Sequence, residues 1–130
     1  MTALCENRTA IVTGAGNGLG KSYAKALAAA GANVVVNDIN EQTAGLTVDE
    51  IVADGGHAIA CCRDITDHEQ AGQIIQAAID TYADLHIVVN NAGICRDRMF
   101  TSLSPDDWDA VVSVHLKGHY CLASHAARLW

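Results

Sequence analysis

The chain has 130 residues, half of them hydrophobic, and carries a formal net charge of −7 at pH 7. This composition predicts one domain with a substantial core and excludes disordered and collagen-like chains. The acidic balance and the scattered basic residues argue against a nucleic-acid or anionic-membrane partner. The amino terminus has no apolar signal core, and no stretch is long enough to span a bilayer, so we expect neither a leader nor an anchor.

The first predicted element is a buried parallel strand at residues 10–12, followed by the loop Thr-Gly-Ala-Gly-Asn-Gly-Leu-Gly at 13–20. A helix over about 19–30 comes next, ended by a glycine cap at Gly31. Its buried face is predicted to hold Leu19, Tyr23, Ala26, Leu27 and Ala30. A glycine loop between a strand and a helix brings backbone N–H groups and a positive helix end to an anion. We therefore predict a phosphate-binding loop, with a simple tight connector as the alternative.

The pattern of strand and helix then repeats. Strands are predicted at 33–38, 57–64 and 85–90, and their continuous apolar character suits a sheet that is covered on both faces. Helices are predicted from a cap at Asn40 to about 53, from a capping box formed by Thr66 and Glu69, and from Ser104 to the last residue. The last helix is predicted to carry one continuous stripe of Trp108, Val111, Val112, His115, Leu116, His119, Leu122, Ala123 and Ala126. The fold class is therefore α/β, a Rossmann-type doubly wound parallel sheet of about four strands and four helices, here as one dinucleotide-binding domain over residues 1–130.

The five cysteines show no zinc-type pairing of C-x-x-C units. The adjacent Cys61 and Cys62 are predicted to point to opposite faces of the third strand as small hydrophobic residues. We therefore expect reduced thiols and a cytoplasmic location.

Ligands of doubly wound sheets bind beyond the carboxyl ends of the strands. The glycine loop, Asp38, Asp64 and residues 90–93 all follow predicted strands, so we expect them in one crevice. Asp38 lies where an acid can accept hydrogen bonds from an adenosine ribose, and its charge would repel a 2′-phosphate. Asn17, in the glycine loop, is also not a basic residue that could neutralise a 2′-phosphate. The sequence thus predicts NAD rather than NADP.

The motifs together resemble a classical short-chain dehydrogenase/reductase. They are the T-G-x-x-x-G-L-G loop at 13–20, Asp64-Ile65 after the third strand, Asn90-Asn91-Ala92-Gly93 after the fourth, and the segment 108–118. The resemblance implies that a set of residues binds NAD, with Asn90 as a buried bracket between strands. The implied cofactor-binding residues are Gly14, Asn17, Gly18, Leu19, Gly20, Asp38, Asp64, Ile65, Asn91, Ala92 and Gly93.

The sequence departs from the family pattern at His115, where the family usually has an asparagine that helps hold a water in a proton relay. The run Val-His-Leu-Lys-Gly at 114–118 more closely resembles the (3R)-hydroxyacyl-CoA dehydrogenase modules of multifunctional fatty-acid oxidation proteins. The resemblance makes His115 the candidate catalytic residue, and a histidine satisfied within the helix stripe is the alternative. His115 and His119 have the spacing of a metal pair, but with no third ligand in view we predict no metal.

The family's catalytic serine and Tyr-x-x-x-Lys pair are absent from these 130 residues. None of the three tyrosines, Tyr23, Tyr82 and Tyr120, has a lysine four residues later. We therefore expect the NAD-binding amino-terminal part of a dehydrogenase that transfers hydride between a secondary alcohol or ketone and NAD(H), inactive as this piece. The resemblance implies homo-oligomers for intact relatives. A non-catalytic nucleotide-binding or regulatory module, and a gene fragment without a function of its own, are the alternatives.

Overall fold

The protein, described here over residues 3–130 from a computed structural model, alternates strands and helices up to its fourth strand and then continues in helical elements. The four strands are β1 (Thr9–Thr13), β2 (Asn33–Asn37), β3 (His57–Ala60) and β4 (Ile87–Val89). The helices are α1 (Gly18–Ala29), α2 (Glu41–Ala53), α3 (His68–Tyr82), α4 (Pro105–Val112) and α5 (Gly118–Leu129). A 3₁₀ turn (Phe100–Ser102) precedes α4, and a π-helical turn (Ser113–Lys117) joins α4 to α5.

The strands form one parallel sheet in the order β3-β2-β1-β4. Ile11 and Val35 face a core built with α3 and α5, whereas Val12, Val34 and Val36 face a second core built with α1 and α2. Helices therefore cover both faces, which confirms the predicted doubly wound sheet. Strands β3 and β4 are shorter than predicted, since their backbones leave the ladder before residues 64 and 90.

Cys61 and Cys62 follow β3 and pack against different cores, Cys61 on the α3 side and Cys62 on the α1 side. Their predicted placement on opposite faces is confirmed. All five cysteines have free thiols, and burial raises the pKa of the Cys61 and Cys121 thiols.

The buried face of α1 differs from the prediction. Gly20, Ala24 and Ala28 lie against the sheet, whereas Leu19 is 67% exposed and Tyr23 is 42% exposed. The helix approaches the sheet closely enough that only small side chains fit between them. The predicted face is therefore wrong for Leu19 and Tyr23, whereas Leu27 is partly buried against the core as predicted.

Of the three predicted capping positions at helix starts, two are confirmed and one is wrong. Asn40 and Ser104 cap α2 and α4, because their side chains accept hydrogen bonds from the N–H groups of Thr43 and Asp107. The predicted capping box at Thr66 is wrong. Thr66 bonds instead to Asp64, and Asp67 caps α3 by accepting from the N–H of Gln70. The contact with Gln70 holds the pKa of the Asp67 carboxyl below its usual range.

The last helix does not present one continuous apolar stripe. The π-turn at Ser113–Lys117 contains more residues than one α-helical turn. The buried face of α5 is therefore rotated about the helix axis relative to that of α4. Leu122 and Ala126 are buried as predicted, whereas Trp108 is 61% exposed and Leu116 is 69% exposed. Among residues 3–130, no helix is both long enough and apolar enough to cross a membrane.

Candidate functional site

A cavity of about 450 Å³ opens at the carboxyl ends of the strands, beside the glycine loop. All eleven residues that the sequence predicts as cofactor-binding line this cavity, contributed by the turns after β1, β2, β3 and β4. Other lining residues that sequence reasoning did not single out are Asn37, Ile39, Arg63, Thr66, Ile94 and Val114. The structure therefore brings the separate motifs together into one crevice.

The glycines of the loop are required by conformation and by space. Gly14 and Gly18 have φ angles of +63° and +57°, a region that favours glycine. A Cβ on Gly14 would lie 2.9 Å from the Cα of Ala92, and a Cβ on Gly20 would overlap the carbonyl oxygen of Gly14. The first turn of α1 thus lies directly against the loop, and its residues Gly18, Leu19 and Gly20 line the cavity.

Thr13 and Asn91 join the glycine loop to the turn after β4. The buried hydroxyl of Thr13 accepts hydrogen bonds from the N–H groups of Asn91 and Ala92, each at 3.0 Å. In return, the Asn91 side-chain amide donates to the Thr13 carbonyl oxygen at 3.1 Å. Sequence reasoning placed Thr13 in the loop motif without giving it this role, because the contact spans 78 residues. These bonds fix one wall of the cavity.

Asp38 connects the end of β2 to the loop. Its carboxylate accepts hydrogen bonds from the N–H of Gly16 at 2.9 Å and from the N–H of Asn40 at 3.0 Å. Burial raises the pKa of the nearby Cys62 thiol, and the carboxylates of Glu41 and Asp38 raise that pKa further. The surroundings of Cys62 are therefore electrostatically negative.

Arg63 brings a positive charge to the same cavity. The sequence gives Asp38 no basic neighbour, and the missed arginine lies 25 positions further along the chain. Its backbone carbonyl accepts a hydrogen bond from the side-chain amide of Asn37, which ties the turn after β3 to the end of β2.

Asp64 and Ile65 form the end of the cavity beyond β3. The Asp64 carboxylate accepts hydrogen bonds from the N–H and the hydroxyl of Thr66, at 2.9 and 2.7 Å. Ile65 is nearly buried and packs against α5, where Gly118 leaves room for its side chain. Asp64 therefore stabilises a turn that presents both residues to the cavity.

His115 lies next to the cavity but does not line it. Its Nε2 is 3.1 Å from the backbone nitrogen and 2.9 Å from the carbonyl oxygen of Ile94, so its tautomer decides whether it accepts or donates. His119 Nε2 lies 3.2 Å from the carbonyl oxygen of Ala92. The two histidines thus hold the segment after β4. In the described part of the chain, no group of three potential ligands is arranged to hold a metal ion.

Asn90 directly follows β4. Its Oδ1 is buried and has no hydrogen-bond partner within residues 3–130. A role for Asn90 as a bracket between strands stays a prediction.

A glycine loop between a parallel strand and a helix, with acids at the ends of the next two strands, is the arrangement of a nucleotide-binding α/β fold. The chain matches the family model described as short chain dehydrogenase over residues 8–130. It therefore belongs to the short-chain dehydrogenase family, as the sequence motifs predicted.

The chain is similar to several proteins that are longer than it is. The hydroxyacyl-CoA dehydrogenase ChsB1 of Mycobacterium tuberculosis is 46% identical over 95% of this chain and 40% of its own length. The peroxisomal multifunctional enzyme type 2 of Mus musculus is 42% identical over 88% of this chain and 16% of its own. The crystal structure of a short chain dehydrogenase from Mycobacterium avium superposes with a TM-score of 0.94 at 46% identity, over 98% of this chain and 47% of that one. The chain thus spans less than half the length of these proteins.

Proposed function

We propose that the chain is the NAD-binding part of a short-chain dehydrogenase that transfers hydride between a secondary alcohol or ketone and NAD(H). One observation carries this proposal: the eleven residues implied by the family motifs line a single cavity. Bound NAD would supply the hydride acceptor. The residues of this chain would bind and orient it.

Each group of cavity-lining residues is assigned to one part of the dinucleotide. The backbone of Gly14 and of residues 18–20 suits the pyrophosphate, since glycines leave room for it and the start of α1 attracts negative charge. Asp38 and Asn17 suit the adenosine ribose, and Asp64 with Ile65 suits the adenine. Residues 91–93 form the opposite wall, toward the nicotinamide half.

The choice of NAD over NADP rests on Asp38, which lines the cavity directly after β2. A 2′-phosphate placed beside its carboxylate would meet a like charge. Arg63, which lines the same cavity, opposes this effect.

Isothermal titration calorimetry tests the cofactor proposal. We expect NAD to bind the purified chain and NADP to bind at least about tenfold more weakly, because like charges a few ångströms apart are repulsive. Adenosine monophosphate with and without a 2′-phosphate provides the control for the charge alone. Equal affinities for NAD and NADP would contradict the preference, and no binding of either would contradict the nucleotide site itself.

The chemistry needs groups that these 130 residues do not contain. A tyrosine acid/base assisted by lysine contributes about 10²- to 10⁴-fold to such reactions, and none of the three tyrosines is followed four residues later by lysine. We therefore propose that this chain binds cofactor without turning over. A non-catalytic nucleotide-binding module is the alternative, and reduction of NAD with a panel of secondary alcohols at ordinary enzyme rates would contradict the inactivity.

His115 remains the candidate catalytic residue, acting near the nicotinamide half through a water or through the backbone that it holds. Its bond to Ile94 supports a role in fixing the segment after β4. We expect His115→Ala to raise the hydrogen-exchange rate of the Ile94 amide about tenfold, the effect of losing one hydrogen bond. His115→Asn, which keeps an acceptor, should restore much of the protection.

Exchange measured by NMR checks this expectation, with His57→Ala as a control at an exposed histidine on β3. Unchanged exchange at Ile94 in His115→Ala would show that the bond does not hold this segment.

The substrate class follows from the relatives. One is named a hydroxyacyl-CoA dehydrogenase and another a peroxisomal multifunctional enzyme. We therefore propose a hydroxyacyl thioester or a related secondary alcohol as substrate of the whole protein, acting as a homo-oligomer. A cytoplasmic location stays a prediction from the cysteine pattern.

A further inference from the structure

We propose that Thr47, on α2, is a positioning residue that fixes the glycine loop for a bound diphosphate. Thr47 does not line the cavity and belongs to none of the family motifs described above. Its side chain is fully buried and lies behind the loop. The inference rests on the proposed nucleotide site and adds a residue that controls its shape.

The hydroxyl of Thr47 lies at hydrogen-bond distance from two loop carbonyl oxygens. It is 2.9 Å from the carbonyl oxygen of Ala15 and 3.3 Å from that of Gly16, and both contacts are buried. The carbonyl of Thr43 in the same helix, at 3.2 Å, is a third acceptor. A hydroxyl has one proton to donate, and the shortest of the three contacts is the one to the loop. The loop is thus tied to α2 through this proton.

The remaining polar atoms of the same two residues are bound to the end of β2. The Ala15 N–H donates to the Asn37 carbonyl oxygen at 2.9 Å, and the Gly16 N–H donates to Asp38 at 2.9 Å. Both N–H groups and the Ala15 carbonyl therefore have partners on β2, directly after β2 or on α2, and the Gly16 carbonyl lies at the longer distance from the same hydroxyl. Neither residue lines the cavity, so this part of the loop serves as its support.

Residues on either side of this support, Gly14 and Asn17 to Gly20, do line the cavity. Their position depends on the support, because the backbone is continuous and Gly14, at φ +63°, is free to adopt other conformations once released. Removing the Thr47 proton would leave a buried carbonyl without its donor, which favours a shifted loop. The effect should be felt where phosphates bind, and not where the adenine is proposed to bind, beyond β3.

Two substitutions separate the hydroxyl from the methyl group. Thr47→Val keeps the shape and removes the donor, whereas Thr47→Ser keeps the donor. We expect Thr47→Val to weaken NAD and ADP about tenfold, corresponding to one lost buried hydrogen bond, and Thr47→Ser to bind within about threefold of the parent. Adenine, which lacks the ribose and the phosphates, should bind both variants as it binds the parent. Thr9→Val is the matched control, since Thr9 is a buried threonine at the opposite end of β1.

Affinities are measured by calorimetry or ligand-observed NMR on the purified chain, with thermal melts alongside. Binding of NAD to Thr47→Val as tight as to the parent would overturn the inference, as would equal loss of ADP and adenine. If Thr47→Val does not fold, Thr47→Cys replaces it, because a thiol is a weak donor of similar size. A parent chain that binds no NAD would instead overturn the proposed function.

Discussion

Gly20→Ala should weaken NAD binding by about 100-fold or more, whereas Gly45→Ala should leave it unchanged. Both glycines lie within helices, Gly20 in α1 and Gly45 in α2. A Cβ on Gly45 meets nothing within 4 Å, whereas a Cβ on Gly20 overlaps the Gly14 carbonyl oxygen and presses on the Asn91 side-chain amide. The same substitution thus has opposite consequences at two sites.

The overlap at Gly20 can be relieved only by moving the glycine loop or the Asn91 side chain. Overpacking of this kind costs about 1–3 kcal/mol. Both groups that must move belong to the proposed phosphate and nicotinamide walls, so we expect NAD affinity to fall by about 100-fold or more. The melting temperature should fall by roughly 5–10 °C. Gly45→Ala should instead stabilise α2 by up to about 1 kcal/mol, because alanine favours helix.

Calorimetry with NAD and thermal melts by circular dichroism measure both effects. An affinity of Gly20→Ala within about threefold of the parent, at an unchanged melting temperature, would contradict this close packing of α1 on the loop. Loss of binding in Gly45→Ala would mean that α2 contributes to the site in another way.

The order of elements and the edge of the sheet that carries the site could be predicted because both depend on local pattern. Continuous apolar runs indicated buried strands, and residues that follow parallel strands must meet at one edge. This is why Asp38, Asp64 and Asn91 line one cavity although they are far apart in sequence.

Features that depend on the distance between elements could not be predicted. The buried face of α1 consists of Gly20, Ala24 and Ala28 because the helix lies very close to the sheet, and apolar periodicity favours large residues over small ones. The π-turn at Ser113–Lys117 has no sequence signal of its own in this chain, so the stripe through Trp108 and Leu116 was extended too far. The roles of Thr13 and Thr47 depend on hydrogen bonds to residues far away in the sequence. Nothing in the local sequence around either threonine indicates these partners.

Asp38→Asn should reverse or remove the preference for NAD over NADP. Two unit charges about 4 Å apart near a protein surface repel by up to ~4 kcal/mol, which corresponds to about a 10³-fold selectivity. The substitution removes this repulsion and keeps one oxygen that can accept from the N–H of Gly16 or of Asn40. We therefore expect NADP to gain about 10- to 1000-fold relative to NAD, and NAD itself to bind more weakly because one loop contact is lost.

Asp49→Asn is the matched control, since Asp49 is an exposed acid on α2 and its substitution removes the same formal charge. Calorimetry at low and high salt adds a second comparison, because screening should reduce the selectivity of the parent and hardly change that of Asp38→Asn. Unchanged selectivity in Asp38→Asn would assign the preference to another group. A parent that binds NADP as tightly as NAD would point to Arg63, the cation in the same cavity, as the partner that outweighs the carboxylate.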